Sequence, residues 1–197
     1  MPATGFTLFD TAIDPCGIAW GPCGIVGVQL PERHPAATRK RLQRRYPNVP
    51  EASPPRAVQE AIDDIIALLR GESREFSNVA LDMGGIPVFR QRLYAAMRDI
   101  PPGSTISYGD LAVRIGDGCT ARDIGEAMGK NPFPIIVPCH RVLAANGKIG
   151  GFSASGGVAT KLRMLNIERA RTSNTPTLFD RLPLGLPPER KRTPAKT

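Results

Sequence analysis

The chain has 197 residues, enough for one large domain or two small ones with a real buried core. With 41% apolar and 22% charged residues it has an ordinary globular balance, and no apolar run approaches the roughly 20 residues that a membrane span needs. A net charge of +8 argues against an acidic, solvating chain and points to a polyanionic partner, nucleic acid above all.

The opening MPATGFTLFDTA lacks the basic start and apolar block of a secretory signal, so a cytoplasmic location is expected, or a nuclear one in a eukaryote. Cys16, Cys23, Cys119 and Cys139 are then expected as thiols. Residues 5–30 read as three short strands, GFTLFDTAI, CGIAW and GIVGVQL, broken by Asp-Pro and Gly-Pro turn signals. Residues 35–45 read as a helix carrying the basic run RKRLQRR, which is either a solvated face or a patch that steers phosphates. A stronger helix spans 55–70, where Val58, Ala61, Ile62, Ile65, Ile66 and Leu69 form one apolar stripe. FSNVALDM, residues 76–83, is expected as a further strand. Residues 1–83 therefore make a small α/β unit with little evident chemistry.

A second unit, residues 84–170, opens with a helix in which Phe89, Leu93 and Met97 recur every four residues until Pro101, Pro102 and Gly103 stop it. Ser107 followed by Asp110, and Thr120 followed by Asp123, match the pattern in which hydroxyl and carboxylate cap a helix start. Two short helices result, 108–115 and 121–128, joined by a glycine-bearing turn. That is the outline of a helix-turn-helix, although helical hairpins of this kind also fill cores. Arg122 stands in the first turn of the second helix, where the helix dipole disfavours a cation. It is either an exposed arginine in a poor place or one held there to enter a DNA groove. Residues 171–197 are proline-rich and basic, a disordered or loosely docked tail. The fold class is α+β.

The chemistry gathers at PIIVPCHRV, residues 134–142. A lone cysteine is commonly a small buried hydrophobe. Here Pro132, Pro134 and Pro138 fix the chain, and His140 and Arg141 place positive charge beside Cys139. In the final helix Val158, Leu162 and Leu165 are read as the inward stripe, whose next step lands on Glu168. Either the stripe ends one turn early and leaves Glu168 in solvent, or Glu168 enters the core and must be paired, with His140 the obvious partner. Adjacent side chains diverge, so Cys139 and His140 do not bond directly. A relay through one water, with Glu168 orienting the ring from behind, fits better.

PCHRV, with GKNPFPIIV before it and SYGDLA and ARDIGEAM further upstream, closely resembles the O6-alkylguanine-DNA alkyltransferases, also called methylated-DNA–protein-cysteine methyltransferases. The likeness runs from about residue 86 to 170. It implies a ribonuclease-H-like N-terminal domain ahead of a helix-turn-helix active-site domain. It also implies irreversible, single-turnover transfer of an alkyl group from O6 of guanine in double-stranded DNA to Cys139, by a monomer without a cofactor. In that scheme His140 accepts the thiol proton through water, oriented by Glu168, and Tyr108 donates to N3 of the departing guanine and presses on the phosphate backbone. Arg122 fills the gap left by the extruded base, with Ala121 beside it against the DNA. Asn131 holds the turn carrying the cysteine, Val142 lies near the guanine edge, and Ser153 approaches O6. The target atom is unreachable in stacked duplex, so the base must be flipped.

The run GGFSASGG departs from the family's tyrosine-serine followed by paired glycines: Phe152 lacks the hydroxyl, and Ala154 and Ser155 intervene. This bears on the pocket rim and on the alkyl groups it admits. Cys16, Cys23 and His34 lack the close paired spacing of a zinc site, so no metal is expected and the cysteines are taken as buried thiols. Cys119 is taken as structural. Two other readings remain: a sensor that binds alkylated DNA without transfer, and a Cys-His hydrolase or redox thiol protein with an incidental basic surface.

Overall fold

A computed structural model describes residues 3–170. The expectation for the tail falls outside them. The N-terminal sequence forms an antiparallel meander of β1 (Gly5–Phe9), β2 (Cys16–Gly21) and β3 (Gly24–Gln29), paired in that order. Its first strand ends four residues sooner than expected, because Thr11 closes the following loop, donating to the Asp14 carbonyl at 2.6 Å and accepting from the Ile13 amide. A two-residue turn joins β2 to β3 and leaves Cys23 exposed rather than buried. Cys16 is buried, and its thiol is pushed up to about 12 by burial.

Helix α1 (Pro35–Arg45) lies against β2 and β3, burying Thr38 and Leu42 and turning its arginines outward. His34 caps it, Nδ1 accepting from the Ala37 amide at 3.2 Å. Helix α2 (Arg56–Leu69) buries Val58, Ala61, Ile62, Ile65, Leu68 and Leu69, a stripe at the helical repeat. The expected strand at 76–83 does not form. Only Leu81 makes a bridge, to Ile25 of β3, and the segment otherwise turns beside Arg98, which donates to the carbonyls of Phe76, Ser77 and Val79. Those carbonyls point at a guanidinium instead of a neighbouring strand.

Helix α3 (Val88–Arg98) buries Leu93, Tyr94 and Met97. A two-residue strand β4 (Ile106–Ser107) leads straight into α4 (Tyr108–Ile115), and α5 (Ala121–Gly129) follows. Both expected caps form: Ser107 accepts from the Asp110 amide, and Thr120 with Asp123 makes a reciprocal capping box. After the cysteine turn, β5 (Val142–Leu143) pairs in parallel with β4, Ile106 facing Val142 and Ser107 facing Leu143. That ladder fixes the start of α4 against the cysteine-bearing segment. Helix α6 (Val158–Ile167) closes the described chain.

One continuous buried cluster runs from Ile18 and Val28 in the sheet, through α2 and α3, to Ile135, Val137 and Cys139. The two halves also share a main-chain bond, Val28 N donating to Pro132 O at 2.8 Å. Among the described residues, no helix is long and apolar enough to cross a membrane.

Candidate active site

The proline-bound segment ahead of Cys139 is a stack of tight turns. Ile135 sits at φ 76°, a left-handed conformation that a β-branched residue adopts only when its surroundings enforce it. The enforcement comes from Asn131, whose Oδ1 accepts from Phe133 N at 2.9 Å while Nδ2 donates to Val137 O at 2.9 Å. Pro138, at φ −80° and ψ 68°, is the centre of an inverse γ-turn closed by Cys139 N donating to Val137 O at 2.8 Å. Cys139–Arg141 then form one turn of 3-10 helix. Successive side chains on such a turn diverge widely, sending the thiol toward a cavity and the imidazole inward.

His140 is fully buried. Its Nε2 lies 2.8 Å from Glu168 Oε1, so Glu168 faces inward rather than into solvent. Arg141 grips the same carboxylate from the side, Nε to Oε2 at 2.8 Å and Nη2 to Oε1 at 2.9 Å, and Nη1 donates to Ile100 O at 2.5 Å. Burial alone raises the Glu168 pKa, but the bonds from His140 and Arg141 outweigh it and hold the group at about 2. The carboxylate is therefore ionised and accepts a proton bond from Nε2. That fixes the tautomer: Nε2 carries the hydrogen and Nδ1 is the bare nitrogen. Nδ1 is buried and has no hydrogen-bond partner among the described residues. Burial keeps the imidazole pKa low despite Glu168, with Arg141 and Lys161 opposing a second positive charge.

Lys161 is the buried charged side chain that sequence periodicity missed. The expected stripe of Val158, Leu162 and Leu165 is rotated: Val158 is 43% and Leu162 36% exposed, whereas Lys161 is 0% exposed and faces inward with Met164 and Leu165. Its Nζ donates to Val142 O at 2.6 Å and stands 5.9 Å from the centre of the Tyr108 ring. Burial lowers its pKa to about 8, opposed by the charge of Cys139. A signal was available: Lys161 stands two helical turns before Glu168, on the same face.

Cys139 is 7% exposed at the wall of a cavity of about 300 Å³. Burial raises its pKa, with an Asn131 bond, the Lys161 charge and the local amides pulling the other way. The resting group is thus a thiol, and its proton must leave as it reacts. Asn131, Pro134, Phe152 and Ser153 line the same cavity, together with Val28 and Gln29 of β3 and Arg41 and Arg45 of α1. Val142 is buried and Tyr108 half-buried, and neither lines it. Ala121 and Arg122 are exposed on the first turn of α5, apart from the thiol cluster. Cys119 donates to Ala112 O at 3.3 Å, stitching the α4–α5 turn. No group of three or more His, Cys, Asp or Glu residues is arranged to hold a metal among the described residues.

A thiol on a cavity wall, a neutral buried imidazole and a charged carboxylate behind it can move one proton while the sulfur attacks carbon. Residues 88–170 match the family described as 6-O-methylguanine DNA methyltransferase, DNA binding domain. The methylated-DNA–protein-cysteine methyltransferase of Mycobacterium tuberculosis is 44% identical over 126 residues, 64% of this chain and 74% of that protein. A DNA base-flipping protein of Thermus thermophilus is 38% identical over 141 residues, 71% of this chain and 91% of its own. The crystal structure of Mycobacterium tuberculosis OGT in complex with DNA superposes with a TM-score of 0.67 at 35% identity, covering 84% of this chain and 92% of that one. On identity, coverage and fold together, the chain belongs to the methylated-DNA–protein-cysteine methyltransferases.

Proposed function

We propose that Cys139 takes an alkyl group from O6 of guanine in double-stranded DNA and keeps it, one transfer per molecule. The observation that carries this is the bare, buried Nδ1 of His140, set by the Nε2–Glu168 bond beside a thiol that faces a cavity. The Cys139 Sγ–carbon bond forms as the carbon–O6 bond breaks. The thiol proton passes through one water to His140, and the guanine leaves with the electron pair of the broken bond and takes up a proton from water, which the proton on His140 then restores. Tyr108 donates to N3 of the leaving base, and Lys161 beneath its ring supplies positive charge as the sulfur turns anionic. The thioether product has no group poised to hydrolyse it, so the protein is consumed.

Helices α4 and α5 present the DNA surface. Arg122 enters the stack where the base has left, Ala121 packs against the backbone, and the β4–β5 ladder links this surface to the reactive turn. Ser153, on the cavity wall, approaches O6, and Val142 lies near the guanine edge. Asn131 holds the turn. We read the sheet followed by two helices as a ribonuclease-H-like unit over residues 1–83, and residues 84–170 as the transfer unit, acting as a monomer.

The test is intact-mass spectrometry after incubation with duplex carrying O6-methylguanine. One methyl is expected on the peptide containing Cys139, and Cys139→Ser is expected to stay unmodified while binding DNA nearly as well. A second reading, a base-flipping sensor, is favoured by the Thermus relative's name. An unmodified wild-type protein that binds the lesion duplex tightly would establish it instead.

A further inference from the structure

The segment 100–103, between α3 and β4, grips the buried ion pair from a side that the proton path does not use. The Ile100 carbonyl accepts from Arg141 Nη1 at 2.5 Å. Further along the same segment, the Gly103 amide donates to Glu168 Oε2 at 3.4 Å. With that bond both carboxylate oxygens are fully engaged: His140 Nε2 and Arg141 Nη2 on Oε1, Arg141 Nε and Gly103 N on Oε2. Ser104 N donates to Pro101 O at 3.1 Å, closing a β-turn with Pro102 and Gly103 at its centre. Gly103 stands at φ 80° and proline is confined to negative φ, so the turn is type II. A β-carbon on Gly103 would lie 3.1 Å from the Glu168 carbonyl oxygen, so the two segments already touch.

We propose that Gly103 is a positioning residue for proton transfer, its amide aimed at Glu168 by the type II turn so that the carboxylate holds its line to His140 Nε2. The inference rests on alkyl transfer to Cys139 and adds a group to it. Type I and type II turns differ by about 150° in ψ at the first central residue, which is Pro102 here. A residue that resists positive φ at position 103 favours type I. The peptide between Pro102 and position 103 then rolls over, turning its N–H away from Glu168 and its carbonyl toward it. A donor is exchanged for an acceptor beside a buried anion, and the carboxylate moves to regain a partner. His140 loses the orientation that leaves Nδ1 free for the thiol proton. The same turn leads through β4 to Tyr108, so one piece of chain sets both the carboxylate and the tyrosine.

The test compares Gly103→Ala, Gly103→Asn and the control Gly85→Ala in single-turnover methyl transfer, with the downfield proton resonance of His140 Nε2–H followed by NMR. Gly85 is also left-handed, at φ 76°, but has nothing within 4 Å of a β-carbon, so its variant carries the backbone strain alone. Gly103→Ala is expected to lower the limiting transfer rate about fivefold, the scale of one weak bond to a charge, at unchanged half-saturating duplex concentration, and to move the His140 resonance. Gly103→Asn, which accepts positive φ, should stay within about twofold of the wild type, and so should Gly85→Ala. A Gly103→Ala protein with wild-type rate and resonance overturns the proposal. So do equal losses in the Ala and Asn variants, which would assign the glycine to close packing against the Glu168 carbonyl. Should Gly103→Ala fail to fold, hydrogen exchange of the Gly103 amide in the wild type decides: at least about tenfold slowing relative to a free peptide is expected, and the free rate overturns the proposal. Absence of methyl transfer by the wild type defeats the underlying reading instead, while the exchange rate and the His140 resonance still judge the turn.

Discussion

Replacing Glu168 by glutamine removes the acceptor around which both His140 and Arg141 are arranged. The carboxylate side chain is 2% exposed and takes three charge-assisted bonds from these two residues. An amide has one acceptor oxygen, so in either orientation its NH2 faces a donor of His140 or Arg141. Arg141, 3% exposed, is left as a buried cation without its counter-charge. Breaking a buried pair in this way costs about 3–5 kcal/mol. An independent route gives the same scale. A pKa held at about 2 against an ordinary 4.5 amounts to about 3 kcal/mol of stability. The sign follows from the depressed folded value: this contribution is complete above pH 4.5 and is lost as pH falls toward 2. Thermal unfolding of Glu168→Gln at neutral pH should therefore show a midpoint about 6–20 °C lower, and urea unfolding should begin at lower denaturant. Between pH 4.5 and 2 the gap to the wild type should close, because the variant has no carboxylate to protonate. Alkyl transfer should slow as well, since the tautomer of His140 is no longer fixed. Equal stability of the two proteins at neutral pH, or a gap that persists unchanged in acid, would refute the assignment of Glu168 as the charged anchor of the site.

Three further outcomes are expected. Arg122→Ala should weaken repair in duplex far more than reaction with free O6-benzylguanine, which needs no base extrusion; equal losses would remove the intercalating role. Lys161→Met should move the pH profile of Cys139 labelling by iodoacetamide upward and slow labelling at neutral pH, because a cation that favours the thiolate is gone; an unchanged profile would mean that Lys161 serves only Val142. Leu162→Gln should change unfolding free energy by no more than about 0.5 kcal/mol, since the side chain is exposed, whereas a core role would cost several times that.

Legibility in the sequence tracked how local the cause was. The α2 stripe and the caps at Ser107 and Thr120 depend on residues a turn apart, and they formed where expected. The strand expected at 76–83 failed because its carbonyls are claimed by Arg98, a partner remote in sequence. The α6 stripe was misread because hydropathy counts lysine as polar, whereas its four methylenes line the interior and only Nζ needs a partner, found at Val142. The Glu168–His140 pairing was one of two open choices in the sequence. The second claimant on that carboxylate, Arg141, was visible only as positive charge, because its reach depends on how the 3-10 turn aims it. The arginines of α1 were open to two readings, a solvated face or a patch that steers phosphates. That they border the reactive cavity follows from the docking of the sheet, which no local pattern encodes.

The amide of Val28 donating to Pro132 makes the N-terminal half a fixed jaw of the reaction chamber instead of an appendage. Anyone trimming the protein to a minimal reagent would keep every group that moves a proton and still lose one side of the vessel in which the proton moves.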